Sequence, residues 1–334
     1  MTRQTRHRAA AAKTRVPRIE ALPAAAQAPA LGPWLDAPFT AYLSGEGCEA
    51  DLRRELGPDS LAVFERLLVA PGAPRPAAWA ANVWLEPRVL RIASIGDAVK
   101  QLKAIQRNWA LYPVAHHRRA ALIEEQLPKV SAKPLTFGDP APTAPLGSWT
   151  LLAPDLIVAS SRCSSPFRNG EAAFIEDKAG PPNRAYLKLW EAFTLLGIAP
   201  KPGDTCLDLG ASPGGWTWVL QKLGAKVIAV DKAPLEPAIA ALPGVTIRRQ
   251  SAFALEPTEV SRVDWLLSDV ICYPERLLRL VKRWLDAGFA GRCLCTIKFQ
   301  AKTDFDAIAA FAAIPGSRLM HLSHNKHELT WVRL

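Results

Sequence analysis

The chain has 334 residues, with 41 Lys and Arg against 31 Asp and Glu and a formal net charge of +10. Its 49% hydrophobic and 22% charged residues exclude a fibrous or disordered chain, its length predicts two domains, and no apolar run reaches the roughly 18 residues of a membrane-spanning helix. Six scattered cysteines without the CxxC spacing of a zinc site exclude a disulfide framework and predict a reducing, cytoplasmic location.

The chain begins with a basic, Pro- and Ala-rich segment, residues 1–33. Residues 1–20 hold six basic side chains and one acid, a net charge of +5. Such a composition predicts disorder, because it offers little apolar surface to bury. Three interpretations remain open: a solvated tail, an arm that binds RNA phosphates, and an organelle transit peptide.

Residues 34–150 form the predicted N-terminal domain. Apolar residues at helical spacing predict helices over 50–70, with a break at Gly57-Pro58, and over 95–107 and 115–126. Residues 149–160 have a strand-like pattern, and the proline-rich stretch 133–147 predicts a linker or long loop.

A basic segment over residues 100–133 interleaves cations with Trp109 and Tyr112. Basic groups bind phosphates and aromatic rings stack on bases, so this pattern suits an RNA-binding surface. A solvated helix face with a buried tryptophan explains the same pattern, and both interpretations remain open.

Residues 151–334 alternate short apolar strands with helices, which predicts an α/β domain built on a parallel sheet. Ligands of such sheets bind outside the carboxyl ends of the strands. Only residues 323–327 separate the last two strands, so they must form a hairpin and the last strand must be antiparallel. The predicted strands are Thr205–Leu209, Lys226–Val230, Val245–Arg249, Val263–Ser268, Arg292–Ile297, Arg318–Leu322 and Leu329–Leu334, and the predicted helices are Asn183–Leu196, Gly215–Lys222, Tyr273–Leu285 and Thr303–Ala313.

A glycine-rich turn, DLGASPGGWT over residues 208–217, joins the first of these strands to a helix. Glycine allows a ligand to approach the backbone, and the start of a helix offers free N–H groups. The next strand is followed by Asp231, an acid at the position that binds ribose hydroxyls in nucleotide-binding folds. The glycines do not follow the GxGxxG spacing of a dinucleotide site.

The turn resembles the S-adenosyl-L-methionine (SAM) loop of the FtsJ-like RNA ribose 2′-O-methyltransferases. The resemblance implies a Rossmann-like methyltransferase sheet with an antiparallel last strand, SAM as cofactor, RNA as partner and no metal. It implies a SAM site formed by Asp208, Gly210, Ser212, Pro213, Gly214, Gly215, Trp216, Trp218, Asp231, Ser251 and Asp269. Ser251 stands where the family usually has an acid near the adenine, which predicts weaker SAM affinity.

The same family implies a catalytic Lys–Asp–Lys–Glu tetrad, here Lys188, Asp269, Lys298 and Glu328. Asp269 and Lys298 each follow a predicted strand, so they are expected at the ligand-binding edge of the sheet. A ribose hydroxyl is a weak acid, and a lysine amine becomes a usable base only when burial or a nearby cation lowers its pKa. The resemblance gives Lys298 the role of base, with Asp269 orienting it and Glu328 orienting Lys188 or the ribose.

Within that family the chain is most similar to the M type of bacterial 23S rRNA cytidine ribose 2′-O-methyltransferases. Shared features are a Ser-Pro-Phe segment at 165–167, the KLxEAF pattern at 188–193 and the glycine-rich turn. The resemblance implies a THUMP-like α+β fold for the N-terminal domain and predicts a monomeric enzyme. Alternatives are a non-catalytic RNA-binding or ribosome assembly factor on the same fold, ribose methylation of a tRNA, and methylation of a small molecule.

Base methylation fits the sequence less well. The residues after the fourth strand of the sheet are Asp269, Val270 and Ile271, which lack the prolines of adenine N-methyltransferases. Cys272 lacks the preceding proline of a C5-methylation nucleophile, so a buried thiol is predicted there.

Overall fold

The computed structural model describes residues 32–131, 133–288 and 290–334. Three β-sheets form its framework, two of four strands in the N-terminal half and one of seven strands in the C-terminal half. The expectations for the basic tail concern residues 1–31 almost entirely, which lie outside the described residues. No helix of the described part is long and apolar enough to cross a membrane.

The first sheet is antiparallel, with the strand order β2-β3-β1-β4. The prediction of helix over 50–70 is confirmed before Gly57 and wrong after it, where a β-hairpin forms. Gly57 has φ 82° and ends the helix, and Glu65 adopts φ 53° to make the hairpin turn. The apolar residues after Gly57 fit the period of a helix and that of a strand, and pairing with the neighbouring strand favours the β conformation. The elements are β1 (Phe39–Ser44), α1 (Glu49–Leu56), β2 (Ala62–Phe64), β3 (Leu67–Pro71) and β4 (Ala80–Trp84).

The second sheet has the order β5-β8-β7-β6, and two helices pack against it. Both helices were predicted, and α2 is capped by the Ser94 hydroxyl, which accepts a hydrogen bond from the Asp97 N–H. The domain boundary expected between residues 150 and 151 falls inside β7, whose pairing with β8 extends this sheet to Ser160. The elements are β5 (Pro87–Arg91), α2 (Ile95–Ile105), β6 (Trp109–Leu111), α3 (His117–Glu124), β7 (Gly147–Ala153) and β8 (Leu156–Ser160).

The third sheet confirms the prediction of an α/β sheet of parallel strands with an antiparallel last strand. Its order is β11-β10-β9-β12-β13-β15-β14, parallel except for β15, which runs antiparallel to both neighbours. After β9 the chain forms β10 and β11 on one side of that strand and the remaining strands on the other side. The switch point of the sheet therefore lies beside β9. The elements are α4 (Tyr186–Leu196), β9 (Thr205–Leu209), α5 (Gly215–Lys222), β10 (Lys226–Val230), α6 (Pro237–Ala240), β11 (Val245–Arg248), β12 (Val263–Ser268), α7 (Pro274–Asp286), β13 (Ala290–Lys298), α8 (Phe305–Ala312), β14 (Ser317–Met320) and β15 (Glu328–Arg333).

The first sheet packs directly against the third, at the end where β13 finishes and β15 begins. Fully buried Trp79 lies 5.6 Å, centroid to centroid, from the rings of both Phe299 and His327. Asp51 of α1 contacts Thr303 and His327 through its carboxylate. The N-terminal half is therefore held beside the edge at which ligands of the third sheet are expected.

Candidate active site

The glycine-rich turn after β9 brings backbone and neighbouring elements too close for larger residues. Gly210 has φ 84°, and a Cβ there would lie 2.8 Å from the Cβ of Val270. A Cβ on Gly215 would collide with the Asn183 side-chain oxygen. Gly214, at φ 120°, opens helix α5. The sequence thus forms a tight turn that leads directly into a helix, and the free N–H groups of the first helical turn suit a polar ligand.

A cavity of about 440 Å³ lies over the carboxyl ends of β9, β12 and β13. Two of the predicted catalytic residues, Asp269 and Lys298, line it. The predicted SAM-site residues that line it are Gly210, Ser212, Pro213, Gly215, Trp216, Asp231 and Asp269. Five further lining residues were not predicted: Asn183, Ala185, Ala211, Val270 and Ile271.

Four predicted SAM-site residues do not line the cavity: Asp208, Gly214, Trp218 and Ser251. Trp218 packs instead against Tyr186 and Trp190, with ring centroids 5.6 and 6.1 Å away. The Ser251 hydroxyl accepts a hydrogen bond from the Phe253 N–H at 3.3 Å.

Asp208 lies beneath the turn and is fully buried. Its carboxyl group accepts a hydrogen bond from the Thr217 hydroxyl at 2.6 Å, which ties β9 to α5. Burial, the largest cause, and the negative charges of Asp269 and Asp231 together raise the pKa of Asp208 to about 7, although the hydrogen bond from Thr217 lowers it. The structure therefore gives Asp208 a role in supporting the turn from below.

Asp231, just after β10, holds the other side of the turn. Its carboxylate accepts hydrogen bonds from the Ser212 N–H at 3.0 Å and the Ala233 N–H at 2.9 Å. The Ser212 hydroxyl in turn donates to the Pro234 carbonyl at 2.8 Å. A carboxylate fixed on the cavity wall beside the glycine-rich turn fits a ligand that carries ribose hydroxyls and a polar tail, as SAM does.

The four predicted catalytic residues meet beside this cavity, although they come from α4, the ends of β12 and β13, and the start of β15. Lys188 Nζ lies 2.5 Å from the Glu328 carboxylate and 3.2 Å from Asp269 Oδ1. Lys298 Nζ lies 3.0 Å from the same Oδ1 and donates to the Asp269 carbonyl at 2.6 Å. Lys298 and Glu328 are direct partners in the β13–β15 ladder.

These contacts form a chain of alternating charge, Glu328–Lys188–Asp269–Lys298. Their side chains are only 9–19% exposed, so each charge needs its partners to offset the loss of hydration. Both amines share one oxygen of Asp269, which fixes their relative position. The cluster can therefore hold a small polar group and exchange a proton with it at the cavity wall.

Sequence reasoning missed Glu191, one helical turn after Lys188 on α4. Its side chain is buried, with 1% exposed. Its carboxylate accepts hydrogen bonds from the Ser323 N–H at 2.7 Å and the His324 N–H at 3.0 Å, and it contacts His324 Nδ1 at 2.6 Å. Glu191 thus ties the turn before β15 to the helix that carries Lys188. The signals in the sequence were its place in the KLxEAF pattern and a glutamate within the otherwise apolar residues 189–193.

Cys272, the residue weighed as a base-methylation nucleophile, is buried. Burial raises the pKa of its thiol above the ordinary value, which disfavours the reactive thiolate. The predicted buried thiol is confirmed.

Part of the chain is similar to a known protein family. Residues 181–304 match the family described as FtsJ-like methyltransferase. Relatives named ribosomal RNA large subunit methyltransferase M include one from Alkalilimnicola ehrlichii, 38% identical over 162 residues (45% of this chain, 44% of the relative), and one from Halorhodospira halophila, 38% identical over 157 residues (45% and 46%).

A third such relative, from Laribacter hongkongensis, is 40% identical over 134 residues, 38% of this chain and 37% of the relative. The chain thus spans less than half the length of these relatives. Among solved structures, Aeropyrum pernix fibrillarin with bound SAM is similar over 43% of this chain and 74% of its own, at 20% identity and a TM-score of 0.34. The segment that matches the FtsJ-like methyltransferase model, residues 181–304, is also the one that carries the cavity and three of the four predicted catalytic residues.

Proposed function

We propose that the protein transfers a methyl group from SAM to a ribose 2′-hydroxyl of RNA. The observation that carries this proposal is the Asp269 carboxylate, one oxygen of which contacts the amines of both Lys188 and Lys298 at the wall of the cavity. A weakly acidic hydroxyl needs a nearby base and a nearby cation, and two amines fixed by one carboxylate can supply both.

The turn over residues 210–215 and the Asp231 carboxylate would hold the cofactor. SAM, when bound, supplies a methyl group that is activated by its sulfonium charge. The turn would bind the polar tail of the cofactor through backbone groups, and Asp231 would accept hydrogen bonds from its ribose.

The tetrad would act on the RNA. Lys298 Nζ would accept the proton of the 2′-hydroxyl, and its contact with Asp269 would keep the amine oriented at the cavity wall. Lys188, held by its contact with Glu328, would stabilise the negative charge that develops on the ribose oxygen. Holding the hydroxyl in line with the methyl group supplies the rest of the acceleration through proximity.

The substrate proposed for this reaction is a cytidine of 23S rRNA, on the resemblance to the M-type enzymes and the printed name of the relatives. The N-terminal half, with its boundary after Ser160, would bind the RNA, and a THUMP-like fold remains a prediction for it. The enzyme would act as a cytoplasmic monomer. The alternatives are ribose methylation of a tRNA and a non-catalytic assembly factor, which the four-residue cluster disfavours because RNA binding alone has no need of it.

The test is methylation of unmodified 23S rRNA and, in a parallel reaction, of unmodified tRNA by the full chain with tritium-labelled SAM. A 2′-O-methyl group blocks alkaline cleavage at its own linkage, so the label should survive alkaline hydrolysis in a dinucleotide that contains cytidine. Label in mononucleotides indicates base methylation and contradicts the proposal. Label that enters only tRNA supports the reaction and refutes the rRNA substrate, and no label in either RNA favours the assembly factor.

A further inference from the structure

Two unusually exposed apolar side chains lie at the edge of the cavity. Ile271 is 78% exposed and Tyr273 is 67% exposed, the highest values for large apolar residues among the described positions. Both belong to the loop between Asp269 and helix α7, and Ile271 lines the cavity together with Asp269 and Lys298. An apolar pair that remains in water next to reactive groups suggests a surface that a ligand covers.

The backbone holds these two side chains outward. The residues that alternate with them, Cys272 and Pro274, are buried and anchor the loop against the domain. Tyr273 also immediately precedes the first turn of α7, a helix of 13 residues. The aromatic ring therefore projects from a fixed position, which reduces the entropy lost when a ligand stacks on it.

Positive charge continues from this pair along α7. The Arg276 guanidinium lies 3.8 Å from the centroid of the Phe253 ring, and it makes no ion pair within the described residues. Arg276, Arg279 and Arg283 line a recess of about 300 Å³. The contact of Arg279 with Glu275 is 3.9 Å long and largely exposed, so it neutralises little of the arginine charge.

We infer that Ile271 and Tyr273 form a stacking platform for a base of the RNA strand beside the reacting ribose, and that Arg276 and Arg279 bind phosphates of the same strand. This inference rests on the proposed function, because it gives that RNA a path away from the tetrad. Unpaired bases stack on aromatic side chains, and arginine neutralises the backbone that joins them. The ring of Tyr273 and the two arginines follow one another at intervals of about one helical turn. An RNA strand, in which bases and phosphates repeat, offers a partner to each of these groups, whereas a protein partner would gain little from them.

The experiment uses a ten-nucleotide oligouridylate of 4-thiouridine, cross-linked by near-ultraviolet light to the full chain with S-adenosylhomocysteine present. Mass spectrometry should find a cross-link in the peptide that contains Tyr273. Fluorescence anisotropy with the same oligonucleotide should show a 5-fold or larger loss of affinity for Tyr273→Ala, at the low end of roughly 5- to 150-fold for a stacked base, and near-normal affinity for Tyr273→Phe. Ile247→Ala, an exposed apolar residue on the far edge strand β11, is the matched control and should change nothing.

The arginines have a separate signature. Replacing Arg276 and Arg279 with Gln should flatten the dependence of log affinity on log salt by roughly 0.7 per lost phosphate contact. Absence of a cross-link at Tyr273 together with unchanged affinity of Tyr273→Ala refutes the platform. If the wild-type chain methylates RNA in that case, the proposed function stands without the platform. If Tyr273 cross-links and no RNA is methylated, the platform stands and the proposed reaction fails.

Discussion

Replacing Glu191 with Gln should disable the tetrad from a distance, because Glu191 anchors the turn that leads to Glu328. The amide oxygen of Gln can still accept the two bonds from His324, but its NH₂ group then faces the Ser323 N–H, which loses its acceptor. A buried donor without a partner costs about 1–3 kcal/mol. If the turn moves to relieve that cost, Glu328 moves away from Lys188, and kcat should fall by roughly 5- to 150-fold.

The assay is methyl transfer under single-turnover conditions, with SAM affinity measured in parallel. Glu275→Gln, which removes an exposed carboxylate on α7, is the control and should leave the rate unchanged. Because Glu191 acts through Glu328, the double variant with Glu328→Gln should lose no more activity than Glu328→Gln alone. Additive losses, or a lowered melting temperature with an unchanged rate, would refute this positioning role.

Two further predictions concern Asp208 and the basic tail. Burial raises the pKa of Asp208 from 3.8 to about 7, so the folded state binds this proton more tightly; its contribution to stability is full below pH 3.8 and is lost as pH rises through 7. Asp208→Asn should remove that part of the pH dependence, which is worth up to about 4 kcal/mol in the free energy of unfolding. The measurement is urea unfolding of the wild type and the variant between pH 4 and 8. If the free energies of unfolding of the two proteins change in parallel with pH, the raised pKa of Asp208 is contradicted. Removing residues 1–20, with their net charge of +5, should lower RNA affinity and its salt slope while SAM affinity stays the same; equal salt slopes contradict the phosphate-binding interpretation.

The C-terminal sheet was predictable because its strands are short apolar runs separated by helices and its turns carry strong local signals. β9, β10 and β12 begin and end where the sequence predicted. The N-terminal half was harder to predict, because strands such as β1 and β4 are defined by pairing between segments far apart in the chain. The hairpin after Gly57 shows how pairing overrides an ambiguous apolar pattern.

The site was predictable where a residue follows a strand and unpredictable where it depends on packing. Asp269 and Lys298 follow from strand ends at the ligand-binding edge. The inward direction of Lys188 came from the family resemblance alone, and its contacts with Asp269 and Glu328 agree with that expectation. Glu191 could not have been assigned, because its partners belong to a turn more than a hundred residues later.

The most direct test of the account is the Lys298→Ala variant, compared with the wild type for both SAM binding and methyl transfer. Lys298 lines the cavity, but the turn and Asp231 supply the proposed cofactor contacts. We predict that SAM affinity stays within a few-fold of the wild type and that the rate of transfer to RNA falls by at least about 100-fold, the lower end for loss of a general base. Transfer at the wild-type rate would contradict the proposed role of Lys298 and the mechanism built on it.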